Sequence, residues 1–323
     1  MVPFLVHPKI RPETQAAFRR TSFCGFETGR ERAALLWDNE DALAERIRLI
    51  AHARDRVILS TFEFRSDTAG RQVFLHTPYV ICDRWLLERL AALADGVVTW
   101  GGDGAVSALR RLAPSGCKLM EWGHRLSFAY VAGYEDREAE WSALARHIVR
   151  TGGLLCSSCQ VIFLDTGRLE EGEAFCQAFL PLLNRAARER DRDGAAQAAL
   201  YTHTYRLERL AEGAGGRTWF GEGCSLTLKP DRELELSHLY GNVLVKCLPR
   251  EELIPVLRRQ KGRLQTAGLL CRPEKREELT ALLARAGVTR ITRAGEMSRT
   301  FPGEAHDGEY SLRRYIRLVD IET

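Results

Sequence analysis

The stretch Val97-Val-Thr-Trp-Gly-Gly-Asp-Gly104 decides the fold class of this chain. Its apolar start predicts a short strand, its glycines predict a turn, and a helix through about residue 112 follows. A strand, a turn and a helix in this order form the repeating unit of α/β proteins. The chain is therefore predicted to be an α/β protein.

The same alternation is predicted on both sides of this stretch. Further strands are expected at about 56–62, 118–121, 127–131, 160–164, 217–220, 224–229, 242–248, 267–271 and 289–292. Helices are expected at about 42–53, 83–94, 137–150, 170–189, 193–212, 250–260 and 274–286. No internal repeat interrupts this pattern.

Composition limits the partners and the location of the protein. The 323 residues have a net charge of only +4, and the arginines alternate with acidic residues, as in 185–192. Nucleic acid is therefore not the expected partner. The longest apolar runs, 57–62 and 243–248, are far shorter than the roughly 20 residues of a membrane span. The first eight residues do not resemble a secretory signal, so a cytoplasmic location is expected.

Nine cysteines, an odd number, are scattered through apolar segments at positions 24, 82, 117, 156, 159, 176, 224, 247 and 271. This distribution predicts reduced thiols, most of them in the core, rather than a disulfide framework.

One of these thiols has the surroundings that a nucleophile needs. Cys156 lies in Thr151-Gly-Gly-Leu-Leu-Cys-Ser-Ser-Cys-Gln160, after a glycine turn and just before a predicted strand. Backbone N–H groups can stabilise an accessible thiolate there. Spacing alone leaves three alternatives open: a buried structural cysteine, a redox pair with Cys159, or half of a metal site. No second pair at zinc-ligand spacing accompanies it, so no metal is predicted.

Two other segments could contribute chemistry. Glu121 ends the apolar strand of Lys118-Leu-Met-Glu-Trp-Gly-His-Arg-Leu-Ser-Phe128, where it is either a general base or acid or a solvated strand-end carboxylate. The turn at Gly101-Gly-Asp-Gly104 could present amide groups to a phosphate at a helix N-terminus. Its spacing is not G-x-G-x-x-G, so an ordinary turn is the alternative.

Together these segments resemble LuxC-type acyl-CoA reductases of the aldehyde dehydrogenase superfamily. The resemblance rests on the order Gly101-Gly-Asp103, then Trp122-Gly-His-Arg-Leu-Ser-Phe128, then Cys156-Ser-Ser-x-Gln160. It implies that Cys156 is the nucleophile, that Glu121 occupies the general-base position, and that Gly101, Gly102 and Asp103 belong to the cofactor loop.

The resemblance covers the chain from about residue 80 onward. Leu239-Tyr-Gly-Asn-Val243 is similar to the segment that returns to the cofactor, and Gly303-Glu-Ala-His-Asp-Gly308 to the family's terminal His-Asp-Gly element. The chain departs from the pattern at two positions. His238 stands where the superfamily commonly has a ribose-binding Glu, and Cys159 where LuxC proteins usually have Pro.

The N-terminal part resembles a different family. Residues 33–67 are similar to the opening helix and strand of phospholipase D proteins, but the catalytic His-x-Lys-x-x-x-x-Asp motif is absent from the sequence. We therefore expect a fusion joined near 72–80 and three parts. These are a phospholipase D-like segment at 1–78, a partial nucleotide-binding region at 79–150, and a catalytic-cysteine and C-terminal region at 151–323. The expected fold is a partial aldehyde dehydrogenase-like fold with an incomplete nucleotide-binding domain.

The activity implied by the resemblance is NADPH-dependent reduction of a fatty acyl-CoA, or an acyl-carrier thioester, to the aldehyde through an acyl-enzyme on Cys156. The alternatives are an inactive truncated or fused remnant and a phospholipase D-like protein. NADH in place of NADPH and assembly into a homo-oligomer are left open.

Overall fold

The computed structural model describes residues 94–212, 215–301, 303–314 and 319–321, together with Glu88, Ala91 and Ala92. The phospholipase D-like segment and the elements predicted at 42–53 and 56–62 lie outside these residues. The described chain forms two compact units, one ending with 105–121 and the other comprising 101–104 and everything from 122 onward. The predicted division at 78 and 150 stays a prediction.

The first unit contains most of a small two-stranded sheet. Strand β1 (Gly96–Trp100) pairs with β2 (Lys118–Trp122), and helix α1 (Asp103–Leu112) connects them. Asp103 lies in the first turn of α1 and Arg110 in its last turn. These charges complement the helix dipole and stabilise the short helix.

The second unit is built on a seven-stranded sheet with the order β5-β6-β7-β4-β3-β8-β9. Its strands are β3 (Leu126–Val131), β4 (Cys159–Leu164), β5 (Arg217–Phe220), β6 (Ser225–Lys229), β7 (Asn242–Cys247), β8 (Leu264–Leu270) and β9 (Arg290–Arg293). Only the β5–β6 pair is antiparallel; the other neighbouring strands are parallel. The predicted α/β class is confirmed.

Helices cover both faces of this sheet. They are α2 (Arg137–Thr151), α3 (Leu169–Ala187), α4 (Arg192–Glu212), α5 (Leu253–Leu257) and α6 (Pro273–Ala286). Successive strand residues point to opposite faces. In β4, Ile162 therefore joins the core under α2 and α3, and Phe163 joins the core under α5 and α6. Every residue of β3, β4, β7 and β8 is buried.

The predicted and observed elements differ most at 250–260. One helix was expected there, but two 3₁₀ turns flank the five-residue helix α5. Pro255 has no amide N–H to donate to an earlier carbonyl, so a regular helix across this segment would lose a hydrogen bond. Among the described residues, none of the helices is both long and apolar enough to cross a membrane.

A double-glycine turn ends α2 and delivers the chain toward Cys156. Asp136 caps the helix start, where its carboxylate accepts a hydrogen bond from the Ala139 N–H at 3.0 Å. Gly152 and Gly153 both have left-handed backbone conformations, with φ of 57° and 78°. A Cβ atom on Gly153 would lie 3.1 Å from Leu239 Cδ2 and 3.3 Å from Ser237 Oγ. The turn therefore requires glycine for its conformation and for its close approach to the segment at 237–239.

We expect Gly153→Ala to lower the free energy of unfolding by about 2 kcal/mol, because alanine is strained in the left-handed region and its methyl group is crowded. Gly167→Ala is the matched control, since no heavy atom lies within 4 Å of its added Cβ. The control should stay within about 0.5 kcal/mol of the parent chain. Urea unfolding followed by circular dichroism measures both; equal losses in the two variants would contradict this account.

Candidate active site

Cys156 is one of two partly exposed thiols among the described cysteines. Of the seven described cysteines, all free thiols, five are buried and only Cys117 and Cys156 are partly exposed. Burial raises the pKa of Cys159 to about 12, which suits an inert core thiol. A redox pair of Cys156 with Cys159 is therefore disfavoured. Among the described residues, no group of three His, Cys, Asp or Glu side chains could hold a metal ion.

Short-range hydrogen bonds shape the turn that carries Cys156. The Leu155 N–H donates to Ser158 Oγ at 2.9 Å, and the Ser158 N–H donates back to the Leu155 carbonyl at 2.9 Å. The hydroxyl groups of Ser157 and Ser298 share a hydrogen bond of 2.7 Å. The turn is therefore held both within itself and to the C-terminal part of the unit.

Two amide groups in this turn have no acceptor among the described residues. Neither the Cys156 N–H nor the Ser157 N–H donates a hydrogen bond to another described residue. Both N–H groups belong to partly exposed residues and lie next to the Cys156 thiol in the chain. Such amides could stabilise negative charge that develops on an oxygen next to the Cys156 sulfur.

Gln160 connects the Cys156 turn to the loop before β7. Its side chain is 3% exposed, and its Nε2 donates to the Gly153 carbonyl at 2.9 Å. Its Oε1 accepts hydrogen bonds from the Ser237 N–H at 3.0 Å and from Ser237 Oγ at 2.7 Å. One buried amide group therefore sets the position of Ser237 relative to the turn that leads to Cys156.

The loop at 237–242 follows a strained backbone path. Leu239 and Tyr240 have positive φ values of 60° and 45°, which non-glycine residues rarely adopt. The Tyr240 N–H donates to the Gly152 carbonyl at 2.7 Å, and the Arg190 guanidinium donates to the Tyr240 carbonyl at 2.9 Å. Strain of this kind persists where surrounding contacts hold it, and it concentrates at functional sites.

A cavity of about 460 Å³ lies against this loop. Its lining combines apolar and polar side chains: Leu200, Tyr201, Thr204, Tyr205, Glu208, Ser237, His238 and Leu239. The rings of Tyr205 and His238 stack at 3.7 Å, and His238 Nδ1 lies 3.7 Å from a carboxylate oxygen of Glu208. The volume and mixed lining are typical of a small-molecule site.

The terminal His-Asp-Gly element packs against the start of β3. The buried carboxylate of Asp307 accepts a hydrogen bond from Arg125 Nε at 2.8 Å and another from the Gln265 side-chain amide. The His306 ring meets the edge of Trp122 at 4.9 Å between centroids. Two segments that the sequence resemblance singled out are therefore in direct contact.

Glu121 lies in the first unit, next to the end of β2, and it is not simply a solvated carboxylate. Its two carboxylate oxygens accept hydrogen bonds from Arg110, at 2.7 Å from Nε and 2.6 Å from Nη2. Its side chain is 25% exposed. This bidentate pair anchors the carboxylate, and a proton-transfer role toward Cys156 stays a prediction.

Two residues of the predicted cofactor loop, Gly101 and Asp103, already bond to other residues of the protein. The Gly101 N–H donates to the Trp122 carbonyl at 3.1 Å, and the Asp103 carboxylate pairs with Arg263. At Gly102, no heavy atom lies within 4 Å of the position that a Cβ atom would occupy. The backbone is therefore open at Gly102, as it is at Gly104.

One protein-family model matches a range that includes all the segments described above. The family model described as acyl-CoA reductase (LuxC) matches residues 78–318. The chain belongs to the LuxC acyl-CoA reductase family.

Characterised relatives extend this finding. The LuxC-family chain is 26% identical over 246 residues to the long-chain acyl-protein thioester reductase of Aliivibrio fischeri, covering 74% of this chain and 49% of that protein. It is 25% identical over 251 residues to the enzyme of the same name from Vibrio harveyi, covering 74% and 50%. The chain thus spans about half the length of the curated relatives it matches.

Solved structures similar to this LuxC-family chain include two dehydrogenases. One is succinic semialdehyde dehydrogenase from Streptococcus pyogenes in complex with NADP+, at 12% identity and a TM-score of 0.48, covering 69% of this chain and 54% of that chain. The other is Δ-pyrroline-5-carboxylate dehydrogenase from Mycobacterium tuberculosis, at 15% identity and a TM-score of 0.41, covering 62% and 41%.

Sequence reasoning missed the buried polar residues that organise the site. Ser127 and Gln160 each follow the first residue of a strand that is otherwise almost wholly apolar, and no role was predicted for either. A lone polar residue in a strand that is buried on both faces requires a hydrogen-bond partner. That exception to the apolar pattern is the signal that could have identified both.

His147 lies in the last turns of α2 and is 1% exposed. Its ring nitrogens make no hydrogen bond of normal geometry to a described group. Burial and the nearby charge of Arg150 lower the pKa of His147 to about 4, against a raising effect of the Ser157 backbone. The imidazole is therefore neutral at pH 7 and lies close to the Cys156 turn.

We expect the folded protein to lose stability as the pH falls from about 6.5 to about 4. In this window the unfolded chain binds a proton at position 147 and the folded chain does not, which costs about 3 kcal/mol in total. His147→Leu should remove that part of the pH dependence, whereas His203→Leu, on the exposed side of α4, should keep it. Urea unfolding at pH 7, 5.5 and 4.5 measures the difference; parallel curves for the parent and His147→Leu would refute the assignment.

Proposed function

We propose that this LuxC-family chain carries out reduction of a long-chain acyl thioester to the aldehyde, with Cys156 as the residue that holds the acyl group. The observation that carries the proposal is the partly exposed Cys156 thiol beside two backbone amides that have no acceptor in the described part of the chain. The names of the relatives, long-chain acyl-protein thioester reductases, support a fatty acyl thioester as the substrate.

In the proposed acylation step, the Cys156 thiolate attacks the thioester carbonyl carbon. A new carbon–sulfur bond forms, and negative charge develops on the carbonyl oxygen. The N–H groups of Cys156 and Ser157 would stabilise this oxyanion, an effect worth about 3 kcal/mol for each donor. The carbonyl then re-forms, the bond to the thiol of CoA or a carrier protein breaks, and that thiolate leaves and takes up a proton.

Reduction needs a hydride donor, which a reduced nicotinamide cofactor, proposed as NADPH, supplies when bound. The cavity beside the 237–242 loop fits the nicotinamide end of such a molecule by its volume and by its polar groups, Ser237, His238 and Glu208. Gly101, Gly102 and Asp103 remain the proposed cofactor loop, and Gly102 has the open backbone that a phosphate contact requires. Gln160 would hold Ser237 in the cavity wall at a fixed position relative to the turn that leads to Cys156.

Glu121 is proposed to manage protons in this reaction. One proton is taken up by the oxygen when the hydride-reduced acyl group becomes a thiohemiacetal on Cys156. When the carbon–sulfur bond breaks and the aldehyde departs, the oxygen gives up this proton and the Cys156 sulfur takes one up to regenerate the thiol. The pair with Arg110 keeps the Glu121 carboxylate in a defined orientation. Such a group would release or accept a proton only after loosening one of its two hydrogen bonds.

A second candidate is a catalytically silent remnant of the family. It is favoured by one observation: His238 stands where the superfamily commonly has a ribose-binding Glu, so a contact to the cofactor is missing from the pattern. A remnant would keep the α/β unit around Cys156 without binding a nucleotide. Cofactor binding and acylation therefore separate the two candidates.

Cys156→Ser should abolish covalent labelling by a radiolabelled long-chain acyl-CoA, because a serine hydroxyl is a far weaker nucleophile than a thiolate. Cys117→Ser is the matched control, since Cys117 is the other partly exposed thiol among the described cysteines. The control should be labelled as fast as the parent chain. Label retained on the Cys156→Ser chain after denaturing electrophoresis would overturn the assignment.

NADPH added to the intact chain should change its tryptophan fluorescence in a saturable manner. NADH in a parallel titration tests the choice of cofactor, and the ratio of the two dissociation constants reports the preference. His238→Leu should weaken binding about tenfold or less, because it removes a polar wall of the cavity but leaves the loop. No saturable change with either nucleotide would favour the remnant.

A further inference from the structure

Ser127 occupies a fully buried position at the start of the central strand β3. Its side chain is 0% exposed. Its Oγ donates a hydrogen bond to the Cys156 carbonyl oxygen at 2.6 Å and accepts one from the Thr266 N–H at 3.0 Å. One hydroxyl group therefore satisfies backbone groups of two other segments, the Cys156 turn and strand β8.

The strand is irregular at this point. The pairing of β3 with β4 shifts register between Ser127 and Phe128, and its pairing with β8 shifts between Leu126 and Phe128. A bulge of this kind interrupts the regular ladder of backbone hydrogen bonds and redirects a side chain. Here the Ser127 hydroxyl oxygen, in place of a backbone carbonyl, accepts the hydrogen bond from the Thr266 N–H. The same hydroxyl group donates to the Cys156 carbonyl.

The Cys156 carbonyl and the Ser157 N–H belong to the same peptide group. This group is planar and trans, so its C=O and N–H point in opposite directions. A hydrogen bond that fixes the Cys156 oxygen toward Ser127 therefore also fixes the direction of the Ser157 N–H, away from Ser127. That N–H is one of the two amides without a described acceptor.

We propose that Ser127 is a positioning residue for acyl transfer: by holding the Cys156 carbonyl, it aims the Ser157 N–H at the oxygen of the thioester that Cys156 attacks. The inference rests on the proposed function. Ser127 acts through the peptide group and does not touch the substrate. Its loss should therefore slow oxyanion formation and leave the access of reagents to the Cys156 sulfur almost unchanged.

The test compares two reactions of the same thiol in the full chain. With Ser127→Ala, the rate of acylation by a long-chain acyl-CoA should fall about 10- to 100-fold, since a misdirected donor costs that much. Alkylation of Cys156 by iodoacetamide, followed by mass spectrometry of its peptide, should change less than about threefold, because it forms no oxyanion. Equal acylation in the variant and the parent would overturn the inference, and so would an equal loss of both reactions.

Tyr130→Phe is the matched control. Tyr130 lies in the same strand, and its buried hydroxyl also has two hydrogen-bond partners within reach, the acceptors Asp165 Oδ1 at 2.9 Å and the Leu248 carbonyl at 3.1 Å, which share its one proton. These partners follow the ends of β4 and β7, whereas Cys156 precedes the start of β4. Its loss should destabilise the chain by a similar amount and leave the ratio of acylation to alkylation unchanged. A control ratio that falls as far as the Ser127→Ala ratio would contradict the inference.

Ser127→Cys is a second variant of nearly the same volume, for use if the alanine chain does not fold. Its thiol is a weaker hydrogen-bond donor, so acylation should slow by a smaller factor, about three- to tenfold. An unchanged acylation rate in this variant would overturn the inference. If the parent chain itself is not acylated, the proposed function fails first, and that outcome is distinct from equal rates in the parent and the variants.

Discussion

The starts of the central strands bury polar groups that water cannot reach, and the site depends on how those groups are paired. Strands β3, β4 and β7 are buried along their whole length, so a polar group that enters them must find a partner inside the protein. Ser127 and Gln160 find their partners in the turn before β4 and in the loop before β7. The requirement for satisfied hydrogen bonds thus orders the segment around Cys156.

A buried charge holds the segment that precedes this loop. Lys246 in β7 is 0% exposed; its ammonium group pairs with Asp231 and Glu235 and donates to the Glu233 carbonyl at 2.7 Å. A buried ammonium group needs such partners because desolvation would otherwise be costly. These partners lie in the segment that leads directly to Ser237. The segment that leads into the cavity wall is therefore held at 231–235 by Lys246 and at Ser237 by Gln160.

Most elements of the second unit could be predicted from the sequence. Runs of apolar residues bounded by glycine predicted β3, β4 and β7 within two residues of their observed ends, because both faces of these strands are buried. The helix at 250–260 was the exception, since two 3₁₀ turns and a short helix replace it. Cys156 could be singled out by its glycine turn, although spacing did not distinguish it from a structural thiol. In the structure Cys156 is partly exposed, whereas Cys159, only three residues away, is buried.

By itself, the sequence determined the α/β class, the order of the elements and the position of a thiol in a glycine-containing turn before a buried strand. These properties follow from local periodicity and from residues that restrict the backbone, which act over a few neighbouring positions. Tertiary structure alone decided that Ser127, 29 positions before Cys156, and Ser237, 77 positions after Gln160, would hold this turn in place. Such pairings depend on which strands become neighbours in the sheet, and that choice comes from packing of the whole unit rather than from any short stretch of residues.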